Sequence, residues 1–280
     1  MKKYLALLVC LLVLMAAQAQ DVIIRRNTTT TTTSTTTVTK PKPKPKPRTT
    51  QPPSVSSQTF TANGISFKMI RVEGGTFMMG SEADGPEKPI HSVTLSSYYI
   101  GETEVTQALW QAVMDSNPSG FQGSDRPVEQ VTWDEALQFI LKLNSLTGKS
   151  FRLPTEAEWE FAARGGNKSL GYKYSGSNDL NSVAWFDGNS GNETHPVKGK
   201  LPNELGIYDM SGNVWEWCQD LFGNYDSSSQ TDPKGATSGS YHVQRGGSCG
   251  YNGAWNCRVT NRLWGSPDDR RTIYGFRLAL

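Results

Sequence analysis

Three stretches of the chain place apolar residues at helical spacing, each behind a threonine able to cap it. Leu109, Trp110 and Val113 share one side of a helix that Thr106 can cap and that ends before Pro118. Ala136, Phe139, Ile140 and Leu143 follow Thr132-x-x-Glu135, a pair in which each side chain satisfies the other's backbone amide at a helix start. Thr155-x-x-Glu158 is a second such box, opening a short helix through Ala163 that stops at Gly165-Gly166. Residues 67–72 and 76–79 flank Gly74-Gly75 and read as a strand pair, and residues 93–100 have strand character. Helical periodicity then disappears. The last hundred residues or so are loops rich in Gly, Asn and Trp, with short strands. This pattern predicts an α+β domain with short strands, about three helices and much irregular structure.

The beginning of the chain follows other rules. Lys2 and Lys3, an apolar run over residues 4–15 and then Ala17-Gln18-Ala19 form the pattern of a secretory signal peptide over residues 1–19. A run of about 12 apolar residues is too short to span a bilayer, and no later stretch approaches the length of a transmembrane helix. Cys10 follows Val9 inside that run, without a small residue ahead of it, and is read as leader rather than as a lipid attachment site. In residues 20–58 a threonine run precedes alternating Lys-Pro, which favours extended polyproline II and offers nothing to bury. That segment reads as a disordered stalk holding a domain off a surface, or as an exported tail without a partner. The domain itself occupies residues 59–280. Its expected location is exported: periplasmic, cell-surface or secreted.

Charge sharpens the division. Of the 280 residues, the first 58 carry nine Lys/Arg against a single acid, Asp21. The remainder has 19 basic and 25 acidic residues, so the formal +2 of the whole chain hides a domain of net −6. A basic surface built for nucleic acid is excluded for such a domain.

Candidate chemistry is sparse. Gly246-Gly247-Ser248-Cys249-Gly250 matches the letters of a nucleophile elbow, but no helix and no histidine follow it. His91, His195 and His242 are too dispersed for a zinc or iron site. No phosphate-binding glycine motif is present. Once the leader is removed, Cys218, Cys249 and Cys257 remain, which in an exported chain favours one disulfide and one thiol, with three pairings open. Asp209 and Glu216 stand seven apart around Gly212, a bend that could offer oxygens to calcium or merely bond its own amides. Asp187, Asn189 and Asn192 make a sparser version of that cluster.

Several segments together resemble the formylglycine-generating enzyme, or sulfatase-modifying factor, family. They are Gly74-Gly75-Thr76-Phe77-Met78-Met79-Gly80, Glu87-Lys88-Pro89-Ile90-His91, Glu104-Val105-Thr106 and Arg152-Leu153-Pro154-Thr155-Glu156-Ala157-Glu158-Trp159-Glu160. Asn203-Glu204-Leu205-Gly206-Ile207-Tyr208-Asp209-Met210, Gly212-Asn213-Val214-Trp215-Glu216-Trp217, Arg245-Gly246-Gly247-Ser248 and Gly275-Phe276-Arg277 complete the set. The resemblance implies a C-type-lectin-like fold. It also implies a structural calcium held by the side chains of Asp209 and Glu216 and the carbonyls of Gly212 and Val214. The family's second calcium loop is not recognisable around Asn181 and Asp187. WEWC and N-C-R-V resemble segments that lie side by side in the family, which implies a Cys218–Cys257 disulfide and a free Cys249 where relatives often carry Trp.

Active members oxidise a substrate cysteine to formylglycine with copper(I) and oxygen, and two soft thiolates shortly after R-G-G-S suit that metal. In this chain those two positions hold Tyr251 and Asn256, so copper is not expected. The resemblance then implies a non-catalytic module for an extracytoplasmic ligand or protein. Its recognition residues are expected in the last loops: Cys249, Tyr251, Asn252, Trp255, Asn261, Trp264 and Arg271. Some relatives carry a variable segment here, and residues 249–252 and 260–265 include types that adenine-directed mutation of an Asn codon produces. A receptor diversified by a reverse-transcriptase element is one form of this reading. The alternatives are an active formylglycine-generating oxidase and an envelope structural or assembly factor.

Overall fold

The computed structural model describes residues 56–83, 85–250 and 253–280. The expected signal peptide and nearly all of the expected stalk lie outside the described residues. The folded domain starts two residues before position 59: β1 (Ser57–Ala62) and β2 (Ile65–Val72) form an antiparallel hairpin. The turn is Asn63-Gly64, both with positive φ, the backbone that matches the twist of the flanking strands.

The expected strand pair across Gly74-Gly75 does not form. β2 lies between β1 and β5 (Tyr98–Gly101), whereas β3 (Gly75–Met79) belongs to another sheet, paired with β4 (His91–Leu95). Gly74 is where the chain passes from one sheet to the other. A Cβ there would stand 2.5 Å from the Leu95 carbonyl oxygen, so the backbone crosses closer than any side chain permits. The single strand expected over 93–100 is likewise split into β4 and β5. At the break, the Asp232 carboxylate accepts bonds from the Ser96 amide and hydroxyl, each at 2.8 Å.

The helices match their caps. Thr106 accepts from the Leu109 amide ahead of α1 (Gln107–Met114), and complete capping boxes open α2 (Trp133–Thr147) and α3 (Glu156–Ala163). Among the described residues two single-turn helices add to these, α4 (Leu180–Val183) and α5 (Gly253–Asn256). The C-terminal part builds the third sheet, in the order β10-β6-β8-β9, from β6 (Trp215–Leu221), β8 (His242–Arg245), β9 (Arg262–Gly265) and β10 (Tyr274–Gly275). β7 (Gln230–Thr231) runs parallel to β4, and β10 parallel to β6. The α+β class, with short strands and few helices, therefore stands as expected from the sequence.

Two aromatic cores hold these layers. In one, Trp110 of α1 stacks on Phe139 of α2 at 5.2 Å and Phe276 meets both edge-on. In the other, Trp159 and Phe161 of α3 pack with Val93, Leu95, Ile100 and Val243. α3 is buried on every side, although it carries Glu156, Glu158 and Glu160. Residues two apart on a helix are rotated by roughly 200°, so Glu158 leaves on the side opposite Glu156 and Glu160, which lie one turn apart on a shared face. Counter-charges are therefore needed on both sides of the helix.

Candidate functional site

Two arginines of the C-terminal segment share those counter-charges with Arg152 and with Arg164, which donates to Glu160 at 2.8 Å. Arg262 of β9 donates to Glu156 at 2.5 and 2.8 Å, and Arg245 of β8 bonds Glu160 and lies 3.7 Å from Glu156. Glu158 takes a two-pronged bond from Arg152. Nearby, Arg258 grips Glu87 at 2.6 and 3.0 Å, and Arg277 grips Glu216 at 2.6 Å through both carboxylate oxygens. The Arg277–Glu216 pair is fully buried, and Trp159 Nε1 adds a third bond to the same carboxylate at 2.7 Å.

That lattice bears on the bend expected to hold calcium. Asp209, Gly212 and Asn213 all have positive φ, and the turn is fixed in place: Gly212 donates to the Gly246 carbonyl at 2.8 Å. A Cβ on Gly212 would stand 2.2 Å from the Trp185 carbonyl oxygen. Asp209 is buried; one of its oxygens accepts from the Lys198 amide at 2.8 Å, and the other has no partner. Burial pushes its carboxyl up to about 6. Both oxygens of Glu104, a buried acid that feels the charge of Asp209, are also without a partner. Glu216 is different. Its two oxygens are already committed to Arg277 and Trp159, so the two expected side-chain ligands are not equally placed. Asp209 retains an orphaned oxygen, whereas the charge of Glu216 is cancelled, and among the described residues no three acidic, histidine or cysteine side chains converge as a metal-binding group.

The three described cysteines, Cys218, Cys249 and Cys257, are free and buried. Cys218 packs beside Trp159 and Val243, while Cys257 belongs to a separate cluster with Tyr174, Leu180 and Val183. The expected Cys218–Cys257 bridge is therefore not formed, because the two side chains sit in different cores. Burial pushes the thiols of Cys249 and Cys257 up to about 12, which keeps them protonated and poorly nucleophilic. Ser248 donates its hydroxyl to the Gly250 carbonyl at 2.6 Å, so the G-x-S-x-G match has no nucleophile to offer. The histidines serve as packing surfaces. His91 lies on Tyr225, His195 on Trp185 and His242 on Trp133.

The residues expected to recognise a ligand divide in two. Trp255 of α5 and Trp264 of β9 are 48% and 46% exposed, and Arg271 is exposed beside them in sequence. Trp255 carries Arg258 over its ring at 3.8 Å, and Trp264 leans on Phe222 at 5.0 Å. Cys249 and Asn261, by contrast, are core: the Cys249 amide donates to the Asn213 carbonyl, and the Asn261 carbonyl accepts from Arg245. Those two leave the expected set because their groups face the lattice and the bend, not solvent. Tyr251 and Asn252 lie outside the described residues, and Asn256, at the other expected copper position, is partly buried on α5.

Comparison with known proteins places this geometry. The profile of the sulfatase-modifying factor enzyme 1-like domain matches residues 57–280. The chain belongs to that family. Its curated relatives include a formylglycine-generating enzyme of Streptomyces coelicolor, 30% identical over 285 residues, covering 75% of this chain and 88% of the relative. They also include chaperone protein LppX of Paenibacillus barcinonensis, 40% identical over 204 residues, covering 55% and 71%. Serine/threonine-protein kinase pkn1 of Chlamydia caviae is 32% identical over 245 residues; the match covers 76% of this chain but 38% of the kinase. Among solved structures, Treponema denticola variable protein 1 superposes with a TM-score of 0.75 at 38% identity, covering 81% of this chain and 99% of that one. The sulfatase-modifying-factor-like domain thus has relatives named as enzymes and relatives that are not named for that reaction.

Sequence reasoning missed the arginine lattice of this family domain. The signal was present as Glu156, Glu158 and Glu160 alternating along a helix that has no polar face. It also missed Asp220, buried at the end of β6, which accepts from the Glu156 amide at 3.0 Å and so caps α3 from a distance of 64 residues. No local pattern points to such a cap. No described helix is long and apolar enough to cross a membrane.

Proposed function

We propose that this domain is an exported recognition module that binds a ligand or protein through the 249–274 face and carries out no oxidation at its cysteines. One observation carries the reading: the thiols and the large aromatics have exchanged the exposure that a copper oxidase would need. Cys249 and Cys257 are buried and protonated, while Trp255 and Trp264 are each about half exposed. Half-exposed tryptophans offer rigid contact area at little conformational cost, as in binding loops generally. The likeness to a protein named variable protein 1 supports the narrower version, a receptor whose face is diversified by a reverse-transcriptase element. Export by the 1–19 segment and display on the 20–58 stalk belong to the same proposal.

Incubated with copper(I), oxygen and a peptide carrying Cys-x-Pro-x-Arg, the purified protein should form no aldehyde detectable by mass spectrometry. Aldehyde that disappears in Cys249→Ser would end the non-catalytic reading. Changing Trp255 and Trp264 together to Ala should leave the melting temperature nearly unchanged and remove the signals that the protein gives on glycan and peptide arrays. Signals that survive in the double variant would place recognition elsewhere.

A structural calcium is part of the proposal at Asp209, where the orphaned oxygen stands near the unpartnered Glu104, and not at Glu216. Chelation should lower the melting temperature, and Asp209→Ala should abolish that sensitivity. Superimposable melting curves with and without chelator would remove the ion.

A further inference from the structure

We propose that a second site, apart from the 249–274 face, binds an alkylammonium group in the cleft between the end of β6 and the 223–237 loop, with Asp220 as the counter-ion. The cleft encloses about 450 Å³, a volume in the range of small-ligand pockets. Its charged lining is Glu156, Asp220, Asp226, Arg262 and His91. Most of that charge is already answered within the protein. The guanidinium of Arg262 is held by Glu156 and by the carbonyls of Pro86 and Gly223, and Tyr225 donates its hydroxyl to Glu156 at 3.2 Å. His91 places Nδ1 at 3.0 Å from the Pro89 carbonyl and its ring against Tyr225.

Two negative groups remain. Asp226 is exposed at the lip, and Asp220 is 3% exposed at the wall. Only Oδ2 of Asp220 accepts a bond, from the Glu156 amide; Oδ1 receives none from the described residues. The loop comes down on it at Gly235, where a Cβ would lie 2.9 Å from Oδ1. Burial, together with the neighbouring charge of Glu156, pushes this carboxyl up to about 7. Its ionised form has no counter-charge of its own beyond Arg262, which Glu156 already holds, and an entering cation supplies one.

The geometry also selects the kind of cation. A guanidinium fork is matched by both oxygens of a carboxylate, and one of these is already taken. A compact ammonium needs one oxygen and a short alkyl stem. Met79, Ala157, Leu221 and Ala236 provide the apolar wall for that stem.

The test is titration of the full-length chain with n-butylammonium, followed by amide NMR shifts. Perturbations should centre on residues 220–237 and be absent with 1-butanol. Asp220→Asn should weaken binding by about tenfold or more. Thr237→Trp, at an exposed position on the rim that folding does not depend on, should block the cleft and abolish the shifts. A second arm uses Nα-acetyl-lysine methylamide. Tighter binding than butylammonium assigns the site to a basic peptide, and weaker binding to a free amine. No shifts, shifts elsewhere, or equal affinity in both variants would overturn the proposal. The Trp255/Trp264 double variant should bind butylammonium normally, so failure of the recognition face and failure of this site are separable.

Discussion

Arg277→Met should cost about 3–5 kcal/mol of folding stability, the usual penalty for leaving one partner of a buried ion pair uncompensated. Arg277 and Glu216 have no solvent exposure, and their double bond at 2.6 Å is supplemented by Arg277 donating to the Gly101 and Tyr208 carbonyls at 3.0 Å each. Without the guanidinium, Glu216 would be a bare charge in an apolar core, in the field of Glu104 and Asp209. Two backbone carbonyls would lose their donor at the same time. Urea denaturation at an unchanged slope measures the loss. Pairing the change with Glu216→Gln should restore part of the stability, because the stranded charge then goes. A single-variant cost below about 1 kcal/mol would mean that water reaches the pair.

The melting temperature should fall as pH rises from 5 to 8, and Asp220→Asn or Glu129→Gln should flatten that slope. Burial pushes both acids up to about 7 in the folded chain. For Glu129, bonds from the Phe121 and Gly120 amides work against the burial, but one oxygen has no partner. The unfolded chain titrates these groups near 4, so between about pH 4 and 7 the folded state holds the extra protons. Stability present at the acid end of that window is lost as pH climbs through the folded value. For Asp220 the full span corresponds to something on the order of 4 kcal/mol at roughly 1.4 kcal/mol per pH unit. A decline of the opposite sign is expected below about pH 4, where Glu87 and Glu156 protonate. Despite burial, their arginine partners hold these two below the usual carboxylate range. A flat profile from pH 5 to 8 would show that both acids are hydrated.

What could be read from the sequence was what short range decides. Thr106, Thr132 and Thr155 cap helices through groups three residues away, and all three helices begin where those residues place them. Sheet membership was not legible in the same way. The Gly74-Gly75 turn looked like a hairpin, but β2 finds its partners in β1 and β5 and β3 finds its partner in β4, pairings that lie beyond local pattern. The parallel pairs β4–β7 and β6–β10 join segments with no shared local pattern. For the candidate site, the quoted family segments located Glu216 and Arg277, but not that one answers the other. Trp264 is half exposed although Arg262, two positions before it on β9, is buried; Cys249 and Asn261 lie in the same C-terminal segment and are buried, since chain neighbours on irregular backbone need not face the same way.

The contrast between buried Arg262 and exposed Trp264 has a consequence for how this surface changes over generations. Arg262 is buried against Glu156, while Trp264, two positions on along the same edge strand, is half exposed and leans on Phe222. Arg245 and Arg258 are likewise held from within by Glu160 and Glu87. The codons that hold the buried charges and the codons whose side chains are open to solvent are thus interleaved yet separate. Drift at positions 255, 264 and 271 can sample many side chains without spending the margin that keeps the protein folded, while Arg245, Arg258 and Arg262 beside them tolerate almost nothing. A population of such chains should show a comb of fixed and free positions along the last thirty or so residues, with the fixed teeth set by buried charge.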